Sequence, residues 1–365
     1  MITTSSDSQN QNGEFSELIK LRQKITDSHL PSDLRDKVNT MIERAELSFK
    51  YHTQFSQFDA VAGYIDWITA LPWQTFSQDN MEIEQAKKIL DKNHYGLNEL
   101  KDRILEYLSV MKLNLDQAKI DPSITDHNIA RAPILFFVGL VGTGKTTIAI
   151  SIAEALGRKF IRIPFGGMGS ALDLRGESRV HPDAEVGHVM KALRRAGTKN
   201  PVILLDELDR VAEHARADIM GVLIELLDPE QNVSFTDHYI DYPFDLSHVL
   251  FIATANNTNN ISTAVMDRLE PIQMPSYNDD EKIIIGKAYV FPKVLKSAGL
   301  NDKLLTIDSN VWPLIVRPLG FDSGIRTLER TIDGICRKVA RQIIEKKHTQ
   351  VFISADNVKQ YLPTW

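Results

Sequence analysis

The chain has 365 residues, enough for two or three domains, and 43% of them are apolar, which is ordinary for a globular protein. Its formal net charge of −6 argues against a surface dominated by nucleic-acid binding. A single cysteine, Cys336, excludes an internal disulfide framework and a multi-cysteine metal site, and no apolar run has the length of a membrane span.

The amino-terminal part of the chain is predicted to be helical. Residues 1–13 are rich in Ser, Thr, Gln and Asn, so we expect a disordered tail; they lack the pattern of a secretion signal, which favours a cytoplasmic protein. Apolar residues then recur at helical spacing, and residues 14–75 are predicted to form a helical arm. Two packed hairpin helices are the simpler interpretation of its start; a partner-binding or oligomer-organising arm is the alternative. Further helices are predicted over Ala60–Ala70, Met81–Asp91 and Leu97–Leu115, and a polar loop over Asp116–Arg131.

Strands and helices alternate in the middle of the chain. Short apolar runs between helical patterns predict strands at Pro133–Val138, Lys159–Pro164, Val202–Leu205 and Val249–Ala253. This alternation predicts an α/β domain over residues 76–276, with a central parallel sheet and crossover helices. From Asp279 to Glu345 the pattern is helical throughout, and a short strand and helix follow (Val351–Ser354 and Ala355–Leu362). Residues 277–365 are therefore predicted to form a separate small helical domain.

A complete phosphate-loop motif occupies residues 139–146, which read Gly-Leu-Val-Gly-Thr-Gly-Lys-Thr between a predicted strand and a predicted helix. Glycines allow the backbone to curve around phosphates without Cβ clashes. The lysine of such a loop neutralises the β and γ oxygens, and the hydroxyl after it binds Mg²⁺. The chain is therefore expected to bind ATP or GTP with Mg²⁺ through Gly139, Gly142, Thr143, Gly144, Lys145, Thr146 and Thr147.

Two carboxylates end the predicted strand Val202–Leu205. Asp206 at the strand end suits the positioning of Mg²⁺, and Glu207 suits the activation of water. Paired acids after a strand are also common helix caps, but about sixty residues after a phosphate loop they favour catalysis.

Two further polar residues gain meaning from their positions. Asn256 ends the apolar run Phe251–Ala255 and is either a water-orienting amide or a turn-forming residue. Arg268 is either an ordinary ion-pairing arginine or an arginine finger, which contributes roughly three to five orders of magnitude in rate in phosphate-loop enzymes. Spacing alone does not decide between these interpretations.

At these residues the chain resembles the ATPase module of Lon proteases, from about Glu14 to about Leu362. The stretches that carry the resemblance include Tyr64-Ile65-Asp66-Trp67, Leu71-Pro72-Trp73, Asn93-His94-Tyr95-Gly96-Leu97, Ala196-Gly197-Thr198-Lys199-Asn200-Pro201, Leu227-Asp228-Pro229-Glu230-Gln231-Asn232, Phe235-Thr236-Asp237-His238-Tyr239 and Gly324-Ile325-Arg326-Thr327-Leu328-Glu329-Arg330.

The resemblance implies an AAA+ fold, in which a large α/β nucleotide domain carries a helical lid and identical subunits assemble into a hexameric ring. It implies that ATP is the nucleotide, with the segment His94-Tyr95-Gly96 beside the adenine. It also implies that Asn256 is the first sensor, that Arg268 reaches into the neighbouring subunit's site, and that Arg326 on the lid touches the γ-phosphate. Leu140-Val141 replaces the usual Pro-Pro of the family's phosphate loop, and we expect little effect on binding.

Two departures from the Lon pattern bear on function. The sequence ends at Leu362-Pro363-Thr364-Trp365, where Lon continues into its Ser–Lys protease domain, so no peptidase activity is expected. Lon's large amino-terminal domain is expected to be missing too, with only its connecting helical part present. Lon also places an aromatic–aliphatic–Gly grip in its central pore. Here that position holds His181-Pro182-Asp183, and nearby Arg216–Ile219 replaces a Gly/Pro-containing stretch. Either the loop has changed in sequence while the ring still pulls polypeptides through its pore, or this threading activity has been lost or changed.

The leading hypothesis is a Lon-type AAA+ ATPase without peptidase activity that remodels a protein partner. A nucleotide-gated scaffold and an unfoldase ring that feeds a separate protease subunit are the alternatives. A nucleic-acid motor is less favoured, because basic clusters such as Arg194-Arg195 and Arg337-Lys338 with Arg341 more often mark solvated helix faces.

Overall fold

The computed structural model describes residues 17–50, 56–120, 134–317, 324–345 and 349–363. The predicted disordered tail lies outside these ranges, as do residues 121–131 of the predicted polar loop. None of the helices in these ranges is long and apolar enough to span a lipid bilayer.

The strands of the described residues are β1 (Ile134–Val138), β2 (Phe160–Pro164), β3 (Val202–Asp206), β4 (Phe235–Thr236), β5 (Pro243–Phe244), β6 (Leu250–Ala255), β7 (Leu269–Gln273), β8 (Leu305–Ile307) and β9 (Val351–Ile353). Five of them form a parallel sheet in the order β2-β3-β6-β1-β7. Its three central strands are almost wholly buried, which explains their continuous apolar runs. The predicted parallel sheet is confirmed.

One strand of this sheet, β7, was not predicted from the sequence. Its sequence, Leu-Glu-Pro-Ile-Gln, lacks a continuous apolar run because it pairs with β1 alone at the edge of the sheet. A proline is tolerated in such an edge strand because no neighbour requires its missing N–H.

The helices are α1 (residues 17–27), α2 (Ser32–Lys50), α3 (Ser56–Thr69), α4 (Ile83–Asn93), α5 (Asn98–Ile120), α6 (Lys145–Leu156), α7 (Leu172–Arg175), α8 (His188–Ala196), α9 (Arg216–Leu227), α10 (Thr263–Met266), α11 (Asp279–Ile285), α12 (Phe291–Ser297), α13 (Trp312–Val316), α14 (Arg326–Ile344) and α15 (Val358–Tyr361). A π-helical turn, Gly286–Val290, joins α11 to α12. The predicted polar loop begins too early, because α5 continues to Ile120.

Helices cover both faces of the sheet. On one face α4, α5 and α6 contribute buried residues such as Leu90, Ile104 and Ile148 to a shared cluster with the sheet. On the other face α8 and α9 pack together with the amino-terminal arm. This layered arrangement leaves the carboxyl ends of the strands open for a ligand.

The amino-terminal arm is continuous with the core of the sheet domain. Leu34 and Val38 of α2 are fully buried in the same cluster as Phe136 of β1. From α3, the hydroxyl of Tyr64 donates to the Ile240 carbonyl at 3.0 Å. The arm thus stabilises the sheet domain directly.

The carboxy-terminal domain has its own buried cluster, built from α11 to α15 and their connections. It is not helical throughout, as the sequence pattern predicted, because Leu305–Ile307 forms β8 and pairs in parallel with β9. A three-residue strand is too short to show periodicity, and its partner lies far along the chain.

Candidate nucleotide-binding site

The phosphate loop joins β1 to α6 and turns tightly at two glycines. Gly142 and Gly144 have φ angles of 83° and 99°, in the left-handed region that favours glycine. Gly144 also caps α6, whose first residue is Lys145. The loop therefore directs the backbone N–H groups at the start of a helix toward the space above the sheet, which favours an anion.

Two other predicted residues of the loop, Gly139 and Thr143, support its conformation. A Cβ at Gly139 would lie 2.7 Å from both the Cβ and the carbonyl oxygen of Met274, so only glycine fits where the chain leaves β7. Thr143 is fully buried, and its hydroxyl donates to the Leu140 carbonyl at 2.9 Å. Neither residue lines the cavity described below.

Lys145 is nearly buried and folds over the loop. Its ammonium donates to the carbonyl oxygens of Gly139 and Leu140, at 2.5 and 3.0 Å, and to Oδ1 of Asn256 at 3.1 Å. Burial lowers the pKa of this ammonium, while nearby carboxylates, Asp206 foremost, act in the opposite direction.

Asp206 ends β3 and is almost completely buried. One carboxylate oxygen accepts from the Thr254 hydroxyl and the other from the Arg162 guanidinium, each at 2.5 Å. The same Thr254 hydroxyl accepts from the Glu207 N–H at 2.9 Å, which ties the ends of β3 and β6 together. Arg162 was not predicted; a charged residue inside the apolar strand β2 is the signal that points to it.

Glu207 turns the chain away from the sheet in an unusual conformation. Its φ and ψ angles, 62° and 52°, are left-handed, which costs a non-glycine residue roughly 1–3 kcal/mol. This turn places the carboxylate at the wall of the cavity, with Oε2 3.5 Å from Nη1 of Arg210. A Cβ at Gly166 would lie 3.2 Å from the same oxygen, so glycine there leaves room for the acid.

Asn256 follows β6 and faces the phosphate loop. Its Oδ1 accepts from Lys145, and its backbone N–H donates to Oδ1 of Asp209 at 3.1 Å. The turn-forming alternative left open by the sequence does not account for this bond to Lys145.

His94 and Tyr95 line the same cavity as the two acids. His94 is buried and its Nε2 lies 2.9 Å from the Ser151 hydroxyl. Burial, assisted by the positive charge of Lys101, lowers the pKa of His94 to about 4, so this ring is neutral at neutral pH. Gly96 does not line the cavity; its φ of 61° makes the turn between α4 and α5.

The carboxy-terminal lid contacts the phosphate loop directly. The Ile325 N–H donates to the Gly142 carbonyl at 3.0 Å, and the Tyr277 hydroxyl donates to the Thr143 carbonyl at 3.3 Å. Arg326, the next residue and the first of α14, lines the cavity. Neither backbone contact was predictable, because each joins groups far apart in the sequence.

These groups surround one cavity of about 570 Å³. Its walls include, among the predicted site residues, His94, Tyr95, Gly142, Gly144, Lys145, Thr146, Thr147, Asp206, Glu207, Asn256 and Arg326. The sequence analysis did not single out its lid residues Tyr277, Tyr289, Lys293 and Glu329.

The predicted magnesium ligands, Thr146 and Asp206, line this same cavity. A hydroxyl and a carboxylate are hard oxygen donors of the kind Mg²⁺ prefers, and the ion takes its other ligands from phosphates and water. Among the described residues no cluster of three or more His, Cys, Asp or Glu side chains could hold a metal by itself. The residues present therefore fit a magnesium ion that arrives with a nucleotide.

Comparison with known protein families agrees with this geometry. Residues 135–277 match the model of the ATPase family associated with various cellular activities (AAA), and residues 296–352 match the Lon protease AAA+ ATPase lid domain. The chain therefore contains an AAA ATPase domain followed by a Lon-type lid domain.

The chain is also similar to curated Lon proteases. Over 346 residues, 95% of the chain, it is 41% identical to Lon protease 2 of Thermus thermophilus, and equally identical to the Lon proteases of Lawsonia intracellularis and Syntrophus aciditrophicus. The matched regions make up 42%, 40% and 42% of those three proteins. The chain therefore spans about two fifths of the length of these relatives.

Arg268 of the AAA domain lies away from the cavity. Its guanidinium donates to the Ala264 carbonyl and to a carboxylate oxygen of Asp228, both at 2.8 Å. This bond from the arginine lowers the pKa of Asp228. The structure thus brings Arg268 to none of the other predicted catalytic residues of its own chain.

The segment His181-Pro182-Asp183 is exposed and also lies apart from the cavity walls. Arg179, just before it, stacks on the Tyr64 ring at 3.8 Å and so connects this exposed loop to the amino-terminal arm.

Four residues of the basic clusters considered for nucleic acid have partners within the chain. Arg337 pairs with Asp333 and Arg341 with Glu345, and Lys338 donates to the Leu362 carbonyl. Arg194 lies over the Trp67 ring at 4.2 Å. These contacts are typical of a structural helix surface.

The contact between lid and phosphate loop leads to a prediction for Gly324→Ala. The added Cβ would lie 2.5 Å from the Val141 carbonyl oxygen, so the lid and Arg326 must move away from the loop. We expect ATP to bind about tenfold more weakly, a loss of about 1.4 kcal/mol, in a titration with a fluorescent ATP analogue.

Gly221→Ala is the matched control for this substitution. An added Cβ at Gly221, inside α9, meets nothing within 4 Å. The Gly221→Ala variant should bind the ATP analogue like wild type, and its free energy of unfolding should rise by about 0.5–1 kcal/mol. Equal affinity in the two alanine variants would contradict the proposed role of the lid contact.

Proposed function

We propose that this chain hydrolyses ATP and couples the hydrolysis to remodelling a protein partner. The observation that carries the proposal is the convergence of a lysine, two acids and a lid arginine on one cavity (Lys145, Asp206, Glu207 and Arg326). Cations on two sides suit a triphosphate, and a carboxylate at the same wall suits the activation of water. The resemblance to Lon, which implies that the segment His94–Gly96 lies beside the base, favours adenine.

Each group in the cavity has a separate task in this proposal. Lys145 and the backbone N–H groups of the phosphate loop bind the β- and γ-phosphates. Thr146 and Asp206 hold Mg²⁺, which, when bound, neutralises and orients the phosphates. Glu207 accepts a proton from the attacking water, and Asn256 orients that water through Oδ1.

We propose that the site is completed by a second copy of the chain. Arg268 lies outside the cavity of its own subunit, as a finger that acts on a neighbouring subunit requires. A closed ring in which each subunit presents Arg268 to the next makes all the sites equivalent. The resemblance to Lon favours six subunits.

The central test is phosphate release in the presence of Mg·ATP. Wild-type protein should release phosphate continuously, and Lys145→Ala should reduce the rate by roughly 100-fold or more, since it removes a cation preorganised for the phosphates. Thermal unfolding of both proteins controls for loss of fold. If the wild-type rate equals that of the variant, the proposed function is wrong.

The remodelling part of the proposal rests on the exposed loop and the arm. Arg179 lies just before the exposed segment His181-Pro182-Asp183 and stacks on Tyr64 of α3, so this loop and the arm are in direct contact. We propose no peptidase activity for these residues. The Ser–Lys dyad of the Lon protease domain has no counterpart among them, and they contain no GxSxG or HExxH motif.

A nucleotide-gated scaffold is the second candidate. It is favoured by the exposed segment itself, since a histidine, a proline and an acid offer no flat apolar ring to wedge between side chains of a threaded polypeptide. The two candidates differ in one observable: a motor changes the fold of its partner during hydrolysis, whereas a scaffold only binds and releases it.

A further inference from the structure

Asp209, three residues beyond Asp206, is a buried acid with no assigned role. Its side chain is only 8% exposed. Oδ1 accepts from the Asn256 backbone N–H at 3.1 Å, and Oδ2 accepts from the side-chain amides of Asn256 and Asn257 at 3.4 and 3.3 Å. Two of these three hydrogen bonds thus come from a single asparagine, Asn256.

The second group that contacts the Asn256 amide is the Lys145 ammonium, 3.1 Å from Oδ1. A carboxylate only accepts hydrogen bonds and an ammonium only donates them. The Asn256 amide therefore has one orientation that satisfies both neighbours, with Nδ2 toward Asp209 and Oδ1 toward Lys145. A flipped amide would place an acceptor against the carboxylate and a donor against the ammonium.

These two neighbours differ in what they do during turnover. Lys145 is a phosphate ligand in the proposed function, and phosphate oxygens compete with Asn256 Oδ1 for its ammonium. Asp209 does not line the cavity, so phosphate oxygens bound there do not compete for it. Asp209 is then the group that keeps Oδ1 directed into the cavity.

We propose that Asp209 is a positioning residue for hydrolysis, which fixes the orientation of the Asn256 amide so that Oδ1 accepts a hydrogen bond from the attacking water. This inference rests on the proposed ATPase function and adds a residue to it. Asp209 does not line the cavity, so it would affect the chemical step through Asn256.

The test is a double-mutant cycle in phosphate release. Asp209→Asn keeps the shape of the side chain but can present a donor to the amide, which removes the orientation preference. We expect kcat to fall by roughly 10- to 100-fold while KM for ATP changes less than about threefold. In an Asn256→Ala background the same substitution should cost less than about twofold, because the amide it orients is gone.

Asn257→Ala is the matched control, since it removes another amide from the same Oδ2 and leaves both bonds of Asn256. Its kcat should stay within about threefold of wild type. If Asp209→Asn lowers kcat equally with and without Asn256, or leaves kcat unchanged, the inference is wrong.

A second readout does not require turnover. The side-chain amide signals of Asn256 in ¹⁵N-labelled protein are identified by their loss in Asn256→Ala. In ATP-bound wild-type protein we expect one set, and in Asp209→Asn two sets or exchange broadening. A single unshifted set in the variant would overturn the role of Asp209 even if the protein proved to have no ATPase activity, in which case the proposed function fails separately.

Discussion

Glu207→Gln protein is expected to bind ATP with nearly wild-type affinity and to release phosphate at least about 100-fold more slowly. The amide keeps the size of the side chain and fits beside Gly166, but it cannot take a proton from water. Binding should persist because Lys145 and Arg326 are unchanged at the cavity. Phosphate release and nucleotide titration on the same preparation separate the two effects.

Glu213→Gln is the control for this change. Glu213 is an exposed carboxylate six residues further along the chain and does not line the cavity. It should turn over ATP like wild type. If Glu207→Gln retains turnover, the proton is accepted elsewhere and the assignment of the base is wrong.

The slowly hydrolysing Glu207→Gln variant is also expected to retain protein partners. If hydrolysis drives release, Glu207→Gln protein in ATP should retain whatever the wild type releases, and Lys145→Ala should not. Affinity capture with these two proteins therefore tests for such a partner.

Arg268→Ala is expected to lower phosphate release by roughly 1000-fold or more without weakening ATP binding. The arginine is outside the cavity of its own chain, so nucleotide affinity of the isolated subunit does not depend on it. In the proposed mechanism the transition state gains negative charge at the phosphate, and Arg268 of a neighbouring subunit would stabilise that charge.

The alternative interpretation of Arg268 is an ordinary ion pair with Asp228, and Asp228→Asn separates the two. A partly exposed pair of this kind contributes up to about 1 kcal/mol to stability. If the pair is merely structural, both variants should lose a similar small amount of stability and keep turnover. If Arg268 is a finger, Asp228→Asn should retain turnover within about tenfold while Arg268→Ala does not.

The parts of the site that were predictable from sequence are those built from short contiguous stretches. The phosphate loop and the acids Asp206 and Glu207 each follow an apolar strand, so local pattern places them at the same end of a parallel sheet. Knowledge of related proteins was needed for His94 and Arg326, because nothing local to them indicates a nucleotide.

The parts that were missed depend on contacts between distant segments. Arg162 meets an acid 44 residues away, and Asp209 meets an amide 47 residues away. A charge within the apolar strand β2 marks Arg162 as unusual but does not show its partner, and Asp209 has no comparable local signal. The short strand Leu305–Ile307 is likewise defined by its pairing with Val351–Ile353. Such pairings follow from tertiary packing, which overrides local propensity.

The most direct test of a site shared between subunits is an equimolar mixture of Arg268→Ala and Lys145→Ala proteins. The first keeps an intact cavity and lacks the finger; the second lacks the phosphate lysine and still offers Arg268. If the site lies between two copies, the mixture should release phosphate well above either variant alone, with a rate that falls on dilution. A mixture as inactive as its components, at concentrations where the wild type is active and assembled, would contradict this account.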